Sequence, residues 1–137
     1  MQYYKTHAHK LTGTHWPRLI KKAFGQYKEI IGKSKRRPYV RSAYFGKQKI
    51  FLGLFWQHLH EKNSRDKTRR VALFPCAIEL IQKTKQEPIS KENPNKNGEI
   101  LHRFAGSTPN NEIFFVQIKE DRQTAQKYLI SVFPLDK

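Results

Sequence analysis

Three short segments near the end of the chain decide its fold: Glu99-Ile-Leu-His-Arg-Phe-Ala-Gly106, Glu112-Ile-Phe-Phe-Val-Gln-Ile-Lys119 and Lys127-Tyr-Leu-Ile-Ser-Val-Phe133. Because successive side chains of a strand point to opposite faces, the segments predict a three-stranded meander with two distinct faces. One face is a predicted core, made of Phe114, Val116, Ile118, Tyr128, Ile130 and Val132. The other is unusually polar and is made of Arg103, Phe115, Gln117, Lys119, Lys127, Leu129 and Ser131.

The chain before these strands has helical periodicity instead. Apolar residues recur at helical spacing after Thr14-His-Trp-Pro17, where proline suits a first turn, and again from Lys49 to Lys62. A third helix is predicted over residues 71–85, with Pro75 either kinking it or marking its first turn. A turn-rich stretch over residues 85–98 then separates the helices from the strands.

This order of elements predicts an α+β domain, with about three N-terminal helices followed by a C-terminal antiparallel β-meander packed on a helix. A chain of 137 residues has the length of one domain. The predicted divisions are a basic/polar arm over residues 1–13 and a single domain over residues 14–137, in which residues 14–86 form a basic helical half and residues 99–135 the meander.

The positive charge of the chain is concentrated in its first half. The formal net charge is +16. Residues 1–75 contain 18 Lys and Arg against three acidic residues, whereas residues 76–137 contain 9 against 8. This excess indicates a polyanionic partner, most naturally RNA, ahead of an anionic membrane surface. The remaining alternative is a basic surface that binds nothing.

The single cysteine, Cys76, lies among apolar residues and is predicted to be a buried structural thiol. One cysteine permits no internal disulfide, so we expect a reducing, cytoplasmic compartment. The start, Met1-Gln-Tyr-Tyr-Lys-Thr-His7, lacks the apolar run of a signal peptide. No stretch approaches the roughly 18 apolar residues of a transmembrane helix.

Two basic segments are the candidate nucleic-acid contacts. Gly32-Lys-Ser-Lys-Arg-Arg-Pro-Tyr39 and the Arg41 and Tyr44 that follow interleave cations with aromatic rings, which suits phosphate contact and base stacking. A solvated linker explains the same composition equally well. Lys62-Asn-Ser-Arg-Asp-Lys-Thr-Arg-Arg70 is predicted to be a second basic turn. The predicted contact residues are Lys33, Lys35, Arg36, Arg37, Arg41, Lys67, Arg69 and Arg70.

Several familiar motifs are missing from the sequence. It has no CxxC or HExxH pair, and its acidic residues are too scattered for a two-metal nuclease. It has neither a GxxxxGK[ST] nor a GxGxxG run, and Ser131 lies within a predicted strand rather than on a nucleophile elbow. We therefore expect no metal ion and no cofactor.

Metal-independent RNA cleavage fits the residues better. In that reaction the 2′-hydroxyl of the RNA attacks the adjacent phosphate, and the protein supplies only a base, an acid and cationic donors. Neighbouring strands are about 4.8 Å apart, so outward residues on three strands can contact one phosphate. The candidate catalytic residues are His58, His102, Arg103, Lys119, Lys127 and Ser131.

The identity of the histidine stays open at this point. In a regular strand His102 points away from the face that holds Arg103, and only a bulge or strand end brings both to one face. Otherwise His102 is a core histidine, and His58 or His60 of the neighbouring helix takes its place. A solvated sheet face with no active site is the alternative for the whole polar set.

Over roughly residues 48–135 the chain resembles the barnase–EndoU–colicin E5/D–RelE superfamily of small ribonucleases. The segments that carry the resemblance are His102-Arg103-Phe104, Phe114-Phe-Val-Gln-Ile-Lys119 and Lys127-Tyr-Leu-Ile-Ser-Val-Phe133. The resemblance implies that Ser131 binds the scissile phosphate, that Arg103 and Lys119 stabilise it, and that a histidine moves protons. Phe133 stands where some members carry a tyrosine.

The resemblance also implies a biological context, namely a toxin or mobile-element nuclease that an acidic antitoxin or immunity protein would bind. The leading hypothesis is therefore a metal-independent endoribonuclease. The alternatives are a non-catalytic nucleic-acid-binding module and a basic adaptor that binds an acidic protein.

Overall fold

The computed structural model describes residues 3–135, which form four helices and seven strands. In chain order these elements are β1 (Tyr4–Lys5), α1 (Trp16–Lys33), β2 (Tyr39–Ser42), β3 (Gln48–Phe51), α2 (Gly53–His60), α3 (Ser64–Ala72), α4 (Phe74–Lys83), β4 (Ile89–Glu92), β5 (Glu99–Ser107), β6 (Ile113–Asp121) and β7 (Lys127–Pro134). Within this part of the chain, none of the helices is long and apolar enough to cross a membrane.

All seven strands belong to one mixed sheet with the order β1-β5-β6-β7-β3-β2, and β4 pairs with another part of β5. Strands β5, β6 and β7 form the antiparallel meander that the sequence predicts. The meander is not a separate sheet, because β1 pairs in parallel with β5 and β3 pairs in parallel with β7. The α+β class is therefore confirmed, whereas the predicted order of helices first and a purely antiparallel sheet is wrong.

The helical periodicity from Lys49 to Lys62 combines two elements. Ile50 belongs to strand β3 and is fully buried, and α2 begins only at Gly53. Strands β2 and β3 form a hairpin whose turn places Gly46 and Lys47 at φ values of 64° and 67°. Short strands of this kind add only two or three apolar positions, and those positions also fit a helical stripe.

The predicted basic turn over residues 62–70 is wrong, because most of it belongs to helix α3, and the predicted third helix over residues 71–85 corresponds mainly to α4. Helix α3 begins after Asn63, whose side chain accepts a hydrogen bond from the backbone N–H of Asp66, a standard N-cap arrangement. Helix α4 follows at Phe74, and Pro75 lies in its first turn, where a missing N–H costs nothing. Pro75 thus marks a helix start, which was one of the two alternatives from the sequence.

The inner face of the sheet forms the core with the helices. Its fully buried side chains include Phe114, Val116, Ile118, Leu129 and Val132. Gly106 lets α4 approach the sheet, because a Cβ there would lie 2.6 Å from both Leu80 Cδ1 and Phe114 Cζ. Cys76 is buried in the same core, as predicted, and burial raises the pKa of its thiol.

A β-bulge between β6 and β7 changes which side chains share a face. The register shifts between Gln117 and Ile118, so that Gln117 opposes Ser131 while Ile118 opposes Leu129. Strict alternation places Lys127 and Leu129 with Ser131 on the polar face. The bulge instead moves Lys127 and Leu129 to the inner face, where both are buried, and brings Tyr128 to the outer face opposite Lys119.

The beginning of the described chain is held against the body of the protein by Glu79 of α4. The Glu79 carboxylate accepts hydrogen bonds from the backbone N–H groups of His7 and Ala8 and from the Tyr4 hydroxyl at 2.8 Å. Strand β1 adds backbone pairing to Gly106 and Ser107. Residues 3–13 of the predicted arm thus begin with a strand of the sheet, and residues 1 and 2 lie outside the described part.

We expect this anchor to weaken in acid. Burial alone would raise the pKa of Glu79, but the three donors outweigh it and lower that pKa below its ordinary value of 4.5. A carboxyl whose pKa is lower in the folded protein than in the unfolded chain stabilises the fold at pH values above the unfolded-chain pKa. This stabilisation is lost as the pH falls through the pKa of the folded protein. The range from about pH 6 to about pH 3 brackets the ordinary pKa of a glutamate. Over that range, the free energy of unfolding should fall more steeply in the natural protein than in Glu79→Gln. Parallel slopes in urea titrations would contradict this.

Candidate functional site

A row of polar side chains crosses the outer face of the meander. Arg103 of β5 donates to Gln117 Oε1 of β6 at 3.3 Å, and Gln117 lies opposite Ser131 of β7. Arg70 of α3 completes the row, since its Nη1 donates to Ser131 Oγ at 2.8 Å. Two guanidinium groups, an amide and a hydroxyl therefore lie side by side, which is a set of donors suited to a phosphate.

Two phenylalanine rings support the arginines of this row. Phe133 and Phe115 oppose each other on β7 and β6, with ring centroids 5.4 Å apart. The guanidinium carbon of Arg103 lies 5.2 Å from the Phe133 centroid, and that of Arg70 lies 5.7 Å from the same centroid. Both cations therefore lie within reach of a cation–π contact with the same ring.

Arg70 reaches the sheet because α3 runs beside β7. Its side chain is only 19% exposed, and its Nε donates to Asp66 Oδ2 one helical turn earlier at 3.1 Å. This contact fixes one edge of the guanidinium and leaves the Nη atoms directed at Ser131. The sequence predicts Arg70 as a nucleic-acid contact, and the structure places it beside the predicted phosphate-binding serine.

His58 of α2 lies next to the same end of β7. Strand β3 ends at Phe51, so beyond Tyr128 strand β7 has a paired neighbour only on its β6 side. His58 Nδ1 lies 3.2 Å from the Ile130 carbonyl oxygen. Because a carbonyl can only accept, Nδ1 carries the proton in this contact, and Nε2 is the basic nitrogen of the neutral ring.

These groups line one cleft of about 200 Å³ between α2, α3 and β7. Its polar wall residues are His58, Glu61, Lys62, Arg70 and Ser131. A histidine with a defined tautomer, a hydroxyl, two cations and one carboxylate thus surround a space that opens to solvent.

The outer face continues from this row toward β3 and β2. Lys119 lies 5.3 Å from the ring centroid of Tyr128, and Tyr128 lies 5.8 Å from that of Phe51. Lys119 is partly neutralised, because its Nζ is 3.5 Å from Glu99. Burial would raise the pKa of Glu99, but hydrogen bonds from Asn93 and Lys96 and the charge of Lys119 lower it, which keeps this carboxylate ionised.

His102 and Lys127 do not join this site. His102 is 8% exposed on the inner face, with Nδ1 2.6 Å from Ser90 Oγ and Nε2 2.8 Å from Glu120 Oε1. Lys127 is 4% exposed, and its Nζ donates to Gln48 and to the Ala125 carbonyl. The structure therefore places His58 and Ser131 in one cleft, connects Arg103 to Ser131 only through Gln117, puts Lys119 farther along β6 on the same face, and leaves His102 and Lys127 behind the sheet.

The predicted nucleic-acid contacts fall into separate groups. Arg37 and Arg41 lie near the outer face, over the rings of Phe51 and Tyr39. Lys35 and Arg36 lie in the loop between α1 and β2, and Lys33 lies at the end of α1. Lys67 contacts the Trp16 ring and Arg69 lines a cavity near residues 10–14, so neither lies in the row with Arg70.

The sequence missed two contributors to the site. The pattern puts Gln117 on the polar face but not among the candidate catalytic residues. It puts Tyr128 in the core, because a period-two pattern does not reveal the bulge. Arg70 carried a local signal, since the Asn63 cap and the Asp66–Arg70 spacing both indicate a helix rather than a turn. Among residues 3–135, no three His, Cys, Asp or Glu side chains gather closely enough to hold a metal ion.

Comparisons of the chain with protein-family models, curated proteins and solved structures found no significant match. The resemblance to the small-ribonuclease superfamily therefore stays a prediction.

Proposed function

We propose that the protein is a metal-independent endoribonuclease whose active site is the cleft between α2, α3 and β7. The observation that carries this proposal is the juxtaposition of an oriented histidine with a row of phosphate donors. His58 has a defined tautomer, and Arg70 and Ser131 line the same cleft.

The proposed reaction needs only these groups. His58 Nε2 takes the proton of the RNA 2′-hydroxyl, and that oxygen forms a bond to the adjacent phosphorus. The bond from phosphorus to the 5′-oxygen breaks, and the departing oxygen takes the proton back from His58. The products are a 2′,3′-cyclic phosphate and a free 5′-hydroxyl, so atoms and charge balance.

The cationic row has a separate task in this proposal. Negative charge increases on the phosphate oxygens as the new bond forms, and fixed donors stabilise such charge better than water does. Arg70 and Ser131 contact each other at 2.8 Å, and Arg103 reaches the row from β5 through Gln117. Lys119, farther along the face, would hold a neighbouring phosphate.

A non-catalytic nucleic-acid-binding module is the second candidate. The observation that favours it is the continuation of cations and aromatic rings beyond the cleft, from Tyr128 to Tyr39. Such a module would bind RNA with a strong dependence on salt and would leave the strand intact. A toxin or mobile-element role and an acidic protein partner stay part of the first proposal.

An assay with labelled RNA in excess EDTA tests the proposal. We expect cleavage to 2′,3′-cyclic phosphate ends, and we expect RNA methylated at every 2′-oxygen to stay intact, because it lacks the attacking hydroxyl. Arg70→Lys keeps the charge but loses the planar guanidinium, and should cut the rate by about 10²–10³-fold. Arg65→Lys on the same helix is the matched control, since Arg65 is exposed to solvent.

Two results would contradict the proposal. One is RNA that stays intact or is cleaved only when a metal ion is added. The other is cleavage that Arg70→Lys and Arg65→Lys slow equally, which would place the activity elsewhere or in a contaminant.

A further inference from the structure

A second cleft lies on the outer face beside the proposed active site. It has a volume of about 460 Å³ and is lined by Arg37, Phe51, Leu54, Gln57 and Tyr128. The Arg37 guanidinium carbon lies 4.0 Å from the Phe51 centroid, which is stacking distance, and Tyr128 stands next to that ring. No acidic side chain is among these lining residues.

The lining groups fit a nucleobase. Unpaired bases stack on aromatic rings and on the planes of arginine guanidinium groups, and the Gln57 amide can both donate and accept hydrogen bonds. Cations also surround the neighbouring ring of Tyr39, with Lys49 Nζ at 4.6 Å and the Arg41 guanidinium carbon at 5.5 Å from its centroid. A flat apolar slot bordered by cations suits a planar base that is attached to phosphates.

The two clefts adjoin each other along α2. Leu54 and Gln57 line the second cleft, and the residues that follow each of them, Phe55 and His58, line the first. Consecutive helical residues are separated by only about 1.5 Å along the axis, so the clefts lie on neighbouring sides of the same stretch of helix. A phosphate beside His58 and a base in the second cleft can therefore belong to adjoining parts of one strand. On the far side of the polar row, Phe115 and Phe133 offer another ring pair.

We propose that the cleft formed by Arg37, Phe51 and Tyr128 binds an unpaired base next to the scissile phosphate, so that the substrate is single-stranded RNA. The location of the phosphate in this inference rests on the proposed function. A base inside a duplex is stacked between its neighbours and cannot enter the slot. The protein should therefore discriminate against double-stranded RNA at the binding step.

Fluorescence anisotropy with RNA methylated at every 2′-oxygen tests this inference without cleavage. We expect the single strand to bind more tightly than the same strand in a duplex. Tyr128→Leu should weaken binding of the single strand between about five- and a hundredfold through lost stacking. Arg37→Lys should weaken it in the same direction while leaving the salt dependence unchanged, because the charge stays.

Matched controls separate stacking from charge and from folding. Tyr3 is an exposed ring that does not line this cleft, and Arg65 is an exposed arginine of α3 that does not line it either. Tyr3→Leu and Arg65→Lys should leave binding unchanged. Arg37 is an exposed loop residue, so Arg37→Lys should fold normally. It therefore still tests the inference if Tyr128→Leu fails to fold.

Two results would overturn the inference even if the protein cleaves RNA. One is equal affinity for the single strand and the duplex. The other is unchanged affinity for the single strand in both Arg37→Lys and Tyr128→Leu. Binding that depends on both residues, together with unmodified RNA that stays intact, would support the base cleft and overturn the ribonuclease proposal alone.

Discussion

His58→Asn should lower the rate of RNA cleavage by about 10²–10⁴-fold while binding of 2′-O-methyl RNA stays unchanged. Asparagine places an amide N–H close to the position of the histidine Nδ1–H, so it can still donate to the Ile130 carbonyl that His58 contacts at 3.2 Å. It lacks a basic nitrogen, however, and cannot take the proton of the 2′-hydroxyl. Single-turnover cleavage rates at saturating protein measure the effect.

His60 provides the matched control. It lies on the same helix, is exposed, and is offset from His58 by two residues, so it points in a different direction. His60→Asn should cleave RNA at the natural rate. Equal rates for His58→Asn and the natural protein would remove His58 as the base, and loss of binding in His58→Asn would indicate a structural role for it.

The sequence predicts best those elements whose local hydrophobic pattern alone determines which side chains are buried. Strands β5 and β6 alternate strictly and pair over nine residues in perfect register, so their faces follow from period two alone. Cys76 and the apolar face of α4 likewise follow from local hydrophobicity. Arg103, Gln117 and Lys119 were therefore assigned to the correct face.

The errors arise where long-range pairing overrides the local pattern. The bulge opposite Gln117 and Ile118 depends on the match between two strands, and nothing within β7 alone announces it. One inserted residue exchanged the faces of Tyr128 and Leu129. The parallel pairing of β3 with β7 is equally non-local, and it converts Ile50 and Phe51 from a predicted helix into a strand.

A difference in strand pairing explains why His102 lies behind the sheet and His58 lies beside the cleft. His102 has regular strand neighbours on both sides, β4 and β6, so no bulge in β5 turns it outward. His58 lies where the pairing of β7 with β3 has ended, and the Ile130 carbonyl orients its ring. A sequence pattern shows the spacing of His58 on its helix but not the end of a strand elsewhere in the sheet.

The buried cluster behind the sheet has a structural role in this arrangement. Glu120 accepts from His102 at 2.8 Å, and Lys127 Nζ lies 4.0 Å from the same Glu120 oxygen. The Lys127 ammonium also lies 4.8 Å from the Phe45 ring centroid, which covers the cluster from the β2–β3 turn. Lys127 therefore satisfies buried acceptors and compensates a carboxylate, and it does not reach the polar row.

Lys127→Met should lower the free energy of unfolding by about 3 kcal/mol, at the low end of the cost of removing one partner from a buried ion pair. Methionine preserves the apolar stem but leaves Gln48 Oε1 without its Lys127 donor. It also leaves Glu120 without a cation, although the 21% exposure of that side chain to water moderates the cost. Urea titrations followed by circular dichroism measure the loss.

A second substitution identifies the cause of that loss. Glu120→Gln removes the carboxylate charge, so adding it to Lys127→Met should recover part of the stability, whereas Glu120→Gln alone should destabilise the protein. Lys91→Met on β4 is the control, because Lys91 is exposed.

Under conditions where Lys127→Met is still folded, the Lys127→Met protein should cleave RNA at the natural rate. A stable Lys127→Met protein that fails to cleave would instead return Lys127 to the active site, and additive losses in the double variant would remove the ion pair as the source of stability.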